Sequence, residues 1–293
     1  MNTRELEITA IPEQAERPTG PVATILGPFL PVDRPDPRPP TGFYTDTTVC
    51  IGCKACEVAC KQWNQLPSDG LHWSGDSYDN TQTLSSTSWR HVKFIEQFDA
   101  AGRSGPSRWL MMSDVCKHCA AAPCQHACPT GAIIYNEFSN VYIQPDICNG
   151  CAYCIAACPF GVITRNDLDG HAHKCTLCYD RQRDGLVPAC AKACPTASIQ
   201  FGPIDELRDR AHRRIEELNA RGTTSAYLYG EAPTATYSEL HSFYLLVDRP
   251  STYGLPESPW NPWLRMRGDY LRSLLGGLAG IVVLLIVWTL RMP

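Results

Sequence analysis

Sixteen cysteines fall into four groups of four, and no cysteine lies outside them. The first group is Cys50, Cys53, Cys56 and Cys60, and the second is Cys116, Cys119, Cys124 and Cys128. The third is Cys148, Cys151, Cys154 and Cys158, and the fourth is Cys175, Cys178, Cys190 and Cys194. Groups one and three have the spacing C-x2-C-x2-C-x3-C, and Pro129, Pro159 and Pro195 directly follow the last cysteine of groups two, three and four. Thiolates at this spacing hold cubane iron–sulfur clusters, four sulfurs to each 4Fe–4S unit. Four groups therefore imply four clusters with no thiol left over, and the chemistry of such clusters is reversible one-electron transfer.

Other uses of cysteine fit less well. A disulfide scaffold suits a short secreted chain rather than one of 293 residues. A zinc-binding structural protein is the alternative from a different functional class, but structural zinc favours paired CxxC knuckles or Cys/His mixtures around one ion. A Rieske centre needs two histidine ligands. His118 and His126 lie inside group two, whose cysteine count is already complete, so they read as neighbours of a cluster or as solvated residues. In bacterial ferredoxin geometry the first three cysteines clasp one cubane and the fourth ligates that of a partner group. Spacing leaves open whether the groups pair in nested fashion (one with four, two with three) or sequentially.

The rest of the chain must position these thiols and connect them to partners. A net charge of −4, with no basic stripe, excludes a nucleic-acid footprint. Lys54, Lys61, Lys117, Lys174 and Lys192 stand beside the groups and can offset the negative charge of bound clusters. Group three has no lysine or arginine between its cysteines. No dinucleotide-binding glycine loop, P-loop or nucleophile constellation is present, so electrons must enter from one partner and leave to another.

Residues 1–42 are proline-rich and read as an extended arm without a signal peptide or twin-arginine pair. A double four-cluster domain is expected over 43–202, with an insertion at 61–115. In that insertion Trp89–Phe98 and Arg108–Met112 read as strands around Gly102 and Gly105-Pro106. Short β runs are expected at Ala132–Tyr135 and Ala197–Phe201. Residues 203–268 read as a helix from Asp205 to about Ala220 followed by an extended region. Over 269–293 the nearly apolar run Leu274–Leu290 reads as a single transmembrane helix in contact with lipid. Trp260, Trp263 and Trp288 suit its interfaces, and Gly276 and Gly280 give a partner helix close approach. The run has no histidine with which to hold a haem.

Several segments resemble the iron–sulfur subunit of membrane-bound, quinone-reducing formate dehydrogenases. They are Cys50 to Cys56 with Trp63-Asn64, Tyr78-Asp79-Asn80, Ser88-Trp89, Cys148 to Phe160, Lys174 to Cys178, and Tyr253-Gly254-Leu255-Pro256. The resemblance runs from about Thr45 to the C-terminus; the arm matches poorly. It implies an α+β fold of two ferredoxin-like dicluster units with nested pairing, a β-rich insertion and a C-terminal transmembrane helix. It further implies one cluster on Cys50, Cys53, Cys56 and Cys194, and a second on Cys116, Cys119, Cys124 and Cys158. A third would sit on Cys128, Cys148, Cys151 and Cys154, and a fourth on Cys60, Cys175, Cys178 and Cys190. The implied partners are a catalytic subunit with molybdenum or tungsten on a pterin (molybdopterin), and a cytochrome b with haem in the bacterial cytoplasmic membrane. Subunits of hydrogenases and of other molybdoenzyme reductases share the four groups and form the alternative reading. Arg265, Arg267 and Arg272 outnumber Arg291, which favours a cytoplasmic cluster domain. The resemblance implies export of the folded domain instead, and both sides stand as expectations.

Overall fold

The computed structural model describes residues 38–70, 73–97 and 108–291. Nearly all of the proline-rich arm, and the turn around Gly102 and Gly105-Pro106, lie outside the described residues. In chain order the elements are β1 (Thr41–Asp46), α1 (Ala55–Trp63), β2 (Arg90–Gln97), β3 (Arg108–Val115) and α2 (Pro123–His126). Next come β4 (Ile133–Tyr135), β5 (Val141–Ile143), α3 (Tyr153–Ala157), β6 (Thr164–Arg165) and β7 (Ala172–His173). The chain continues with α4 (Tyr179–Arg183), α5 (Ala189–Lys192), β8 (Ile199–Pro203), α6 (Ile204–Ala220), β9 (Tyr227–Tyr229), β10 (Ser242–Leu246) and α7 (Trp263–Arg291).

A four-stranded sheet in the order β8-β1-β10-β9 backs the cysteine-bearing loops. Its centre, β1 beside β10, is parallel, and both outer pairings are antiparallel. Every residue of β10 is buried, as a strand covered on both faces requires. Side chains alternate between those faces. Tyr44, Phe243 and Leu245 point to one side and pack with Leu207, Ala211 and Leu218 of α6. Phe43, Tyr244 and Leu246 point to the other and join the core that contains the cysteines. Gly42 is obligatory here, because a Cβ would stand 1.7 Å from the carbonyl oxygen of His241. That same oxygen accepts from the Phe43 amide at 2.7 Å.

The helix α6 starts after Pro203 with Asp205 and Glu206 in its first turn, where carboxylates favour the helix dipole. Its apolar stripe, Ile204, Leu207, Ala211 and Leu218, matches the face laid on the sheet. Residues 203–268 thus do more than extend beyond the cluster loops: β9 and β10 complete the sheet that β1 and β8 begin. The strands β2 and β3 pair antiparallel, Arg90 opposite Val115 through Gln97 opposite Arg108. Two smaller hairpins, β4–β5 and β6–β7, cover the loops of groups two and three.

The last helix, α7, is long and apolar enough to cross a membrane, with mean hydropathy 2.4 over its best stretch, none of which is buried. It begins at Trp263, before the apolar run itself, and Trp263 stacks on His126 with ring centroids 5.2 Å apart.

Candidate metal centres

One backbone conformation recurs in all four cysteine groups. The residue just before the second cysteine is left-handed each time: Gly52 at φ 64°, His118 at 43°, Gly150 at 70° and Leu177 at 56°. Glycine takes this conformation freely, whereas His118 and Leu177 hold it at a steric cost of about 1–2 kcal/mol each. In group four the turn brings the Leu177 amide within 3.2 Å of the Cys175 sulfur, where it donates. A second turn recurs after three of the fourth cysteines. Gly131, Gly161 and Ala197 are left-handed, and their amides donate to the carbonyls of Cys128, Cys158 and Cys194 at 3.3–3.4 Å. Group one lacks the proline; α1 runs on to Trp63, and the Asn64 side chain caps it by donating to the Cys60 carbonyl at 2.9 Å.

The fold brings Cys128, Cys158 and Cys60 each beside three cysteines of another group, and Cys194 beside Cys50. Cys128 lines one small cleft together with Cys148, Cys151 and Cys154. Cys158 lines a second with Cys116, Cys119 and Cys124. Cys194 lies close enough to Cys50 to raise its pKa, after burial and together with Cys53. Burial and the neighbouring Cys175, Cys190 and Cys178 raise the Cys60 thiol well above the ordinary value. The helices follow the same pattern, α1 packing on α5 and α2 on α3.

These spaces are walled by thiols and apolar groups such as Ile133, Ile143, Val162 and Phe160. Among the described residues no three His, Cys, Asp or Glu side chains converge as a single ion requires. The cysteines surround a volume rather than a point, which suits a polynuclear cluster held by sulfur alone. Burial pushes Cys56 up to about 12 and Cys154 to about 11, with neighbouring thiols adding to the effect. Such thiols are neutral without metal, so ligation must release protons. Cys128 differs: burial opposes its ionisation, but the Thr130 hydroxyl and the amides of Ile133, Ala132 and Thr130 outweigh burial and lower its pKa.

The charged residues divide sharply. Lys117 is fully buried and ion-paired with Asp114, donates to the Val115 carbonyl at 2.7 Å and lies over the Phe160 and Tyr244 rings. Lys174 is buried too and spends its charge on the carbonyls of Val141 and Cys175. Lys54 pairs with Glu57 and Asp79, and Lys61 with Asp69, at the rim of group one. Lys192 is exposed. His118 is wholly buried with both ring nitrogens unpartnered, whereas His126 stacks on Trp263.

Three residues that touch or surround the thiols carried no signal in the sequence. The Tyr237 hydroxyl donates to the Cys119 sulfur at 3.1 Å, across 118 positions of chain. Ser113 lies 3.3 Å from the Cys56 sulfur, and buried Arg90 donates to Ser113 at 3.0 Å. Only the register of β2 on β3 places Arg90 and Ser113 together, and neither residue type marks such a position by itself.

Two stretches of the sequence, 49–132 and 107–204, match the 4Fe-4S dicluster domain family. The nitrate-inducible formate dehydrogenase iron–sulfur subunit of Escherichia coli is 42% identical over 219 residues, 73% of this chain and 71% of that protein. The formate dehydrogenase iron–sulfur subunit of Haemophilus influenzae is 40% identical over 220 residues, 73% of this chain and 68% of that protein. A subunit of the anaerobic dimethyl sulfoxide reductase of Escherichia coli is 36% identical over 169 residues, 58% of this chain and 76% of that protein.

Proposed function

This chain belongs to the family of formate dehydrogenase iron–sulfur subunits, electron-transfer subunits of oxidoreductase complexes, and we propose that it holds four 4Fe–4S clusters that link formate oxidation to a membrane quinone. The observation that supports this reading best is the gathering of Cys128, Cys158 and Cys60 each with three cysteines of another group, and of Cys194 with Cys50. Cys50, Cys53, Cys56 and Cys194 would hold one cluster, and Cys60, Cys175, Cys178 and Cys190 its neighbour. Cys116, Cys119, Cys124 and Cys158 would hold a third, and Cys128, Cys148, Cys151 and Cys154 the fourth. When bound, such clusters supply one-electron storage at potentials set by hydrogen bonds, charge and solvent exposure.

The protein's own residues set those conditions. Apolar walls exclude water from the interior sites, while Tyr237 and Ser113 reach individual sulfurs. Cys53 and Cys151 are exposed, so groups one and three each bring a ligand to the surface where a partner redox centre can approach. Group one is read as the entry, facing a catalytic subunit with molybdenum or tungsten on a pterin. Group three is read as the exit, toward a cytochrome b haem, with α7 anchoring the chain in the cytoplasmic membrane beside it. An equivalent subunit of another molybdoenzyme reductase is the second reading, favoured by the likeness to the dimethyl sulfoxide reductase subunit. That likeness covers 58% of this chain against 73% for the formate dehydrogenase subunits, and the longer match supports the formate reading.

Anaerobic purification of the complex from its native membrane tests the reading. Iron and acid-labile sulfide are each expected at about sixteen per copy of this chain, once the partners' own content is subtracted. Formate is expected to bleach the visible absorbance. A zinc-loaded, colourless chain sinks the cluster assignment; a brown complex that formate leaves oxidised sinks the substrate.

A further inference from the structure

Arg90 is the largest fully buried side chain among the described residues, and no carboxylate among them lies within ion-pairing distance of it. A buried guanidinium without a counter-charge is costly, and proteins rarely keep one without compensation. Here its Nη1 donates to Ser113 and its plane lies over the Phe43 ring at 4.7 Å, while Nε and Nη2 have no partner. What surrounds it instead is sulfur. Burial works against its charge, but the neighbouring Cys190, Cys56 and Cys175 and the Tyr244 phenol hold its pKa above the ordinary arginine value. Cys56 belongs to the quartet of Cys50, Cys53 and Cys194, whereas Cys175 and Cys190 belong to that of Cys60 and Cys178. Arg90 therefore stands between two adjacent quartets with its free donors undirected.

We propose that Arg90 sets the reduction potential of these two clusters, acting as their shared buried counter-charge and, through Ser113, as the source of a directed hydrogen bond to the Cys56 sulfur. The inference rests on the cluster assignment given above. A thiolate-ligated cubane is anionic, and each electron added makes it more so, so a fixed cation nearby favours the reduced form. Ser113 receives the Arg90 N–H at its oxygen, which leaves its own hydroxyl proton to point at Cys56, 3.3 Å away. Donation to a ligating sulfur acts in the same direction. The buried cations near the other two quartets are held differently: Lys117 shares the Asp114 carboxylate with Lys93, and Lys174, which acts on Cys124, spends its donors on the carbonyls of Val141 and Cys175.

The test is a redox titration followed by EPR on the intact complex, comparing Arg90→Met, Arg90→Lys and Ser113→Ala with the unaltered protein. In Arg90→Met, both clusters of groups one and four are expected to become harder to reduce. The reduced-to-oxidised ratio at fixed potential should fall about tenfold or more, which is about 59 mV for one electron. Arg90→Lys should retain most of the original potential, and Ser113→Ala should shift only the cluster held by Cys56, by less. Unchanged potentials in a complex with full iron content overturn the inference while leaving the cluster assignment intact. So does an equal shift of all four clusters, or a lysine variant that behaves like methionine. Should Arg90→Met fail to assemble, the lysine and Ser113→Ala variants decide alone, and an unmoved Cys56 cluster in Ser113→Ala counts against it. Absence of iron from the unaltered protein instead removes the reading on which the inference stands.

Discussion

Groups one and four and groups two and three use the same cysteine loops but place them in different electrostatic surroundings. Beside the first pair sits Arg90, a buried cation with no carboxylate within reach among the described residues. Beside the second sit Lys117, equally buried but ion-paired with an Asp114 that it shares with Lys93, Lys174, whose donors go to backbone carbonyls, and a neutral donor, Tyr237, on Cys119. Backbone repetition gives the four sites a common ligand geometry, and side chains that come from distant strands then set them apart. Chemically identical clusters can therefore be tuned to different potentials by their surroundings.

The largest expected effect comes from deleting a site in one pair. Cys148→Ser, in a complex that still assembles, should keep formate oxidation with an artificial dye and lose quinone reduction altogether. The dye takes electrons before the break, whereas quinone stands after it. Cys194→Ser should remove the cluster of group one rather than that of group four, and EPR showing the reverse would break the nested pairing. Full quinone reduction in a Cys148→Ser complex shown to lack that cluster would refute the route.

Neutralising the compensated side comes next. Asp114→Asn should cost about 3–5 kcal/mol of stability, since it strands the Lys117 ammonium in the interior. Denaturant midpoints of the variant and the parent measure the loss. In any fraction that still carries iron, the cluster beside Lys117, on Cys116, Cys119, Cys124 and Cys158, should become easier to reduce, which would make that site resemble those beside Arg90. A variant as stable as the parent would show that Lys117 finds another partner.

The equivalent glycines of the two pairs should answer differently to alanine. At Gly150 the added Cβ would meet the Gly170 carbonyl oxygen at 2.0 Å, so backbone must move. At Gly52 it would meet the ends of Phe94 and Met111 at 2.6 and 2.7 Å, and both side chains can turn away. Gly150→Ala is therefore expected to cost about 1–3 kcal/mol more than Gly52→Ala, compared by thermal melts at equal iron content. Equal costs would mean that the two loops are less alike than their dihedral angles. Smallest of all, Tyr237→Phe removes one neutral hydrogen bond, so only the cluster on Cys119 should shift to lower potential, by less than Arg90→Met shifts its neighbours.

Much of this was legible in the sequence, for identifiable reasons. Cysteine spacing carries the ligand groups, because a cubane demands several thiols within a short loop. Gly52 and Gly150 mark the left-handed position openly, but His118 and Leu177 occupy the same position in the other groups and give no such sign. The helix expected from Asp205 to about Ala220 and the helix found, Ile204–Ala220, nearly coincide, because its apolar stripe and opening carboxylates are local signals. The sheet was not legible. β10 reads as a short apolar run, and nothing local says that it will lie parallel to a strand about 200 residues earlier. Arg90 escaped for the same reason: its partners are set by strand register and by Phe43, not by its neighbours in sequence. The helix α7 starts at Trp263, well before Leu274, since helices extend through polar residues that a membrane would not admit.

The parallel pairing of β1 with β10 bears on how the chain leaves the ribosome. Phe43 must wait for Ser242, and at 5–20 residues per second that wait is roughly 10–40 s. The stretch from Cys116 to Cys158 emerges whole well before Cys194, the partner proposed for Cys50. Synthesis therefore completes groups two and three while group one still waits for group four, and the sheet behind them waits longer still, for β10. A chain stopped between Cys158 and Cys175 would carry its first-made cysteines without the group proposed to complete them.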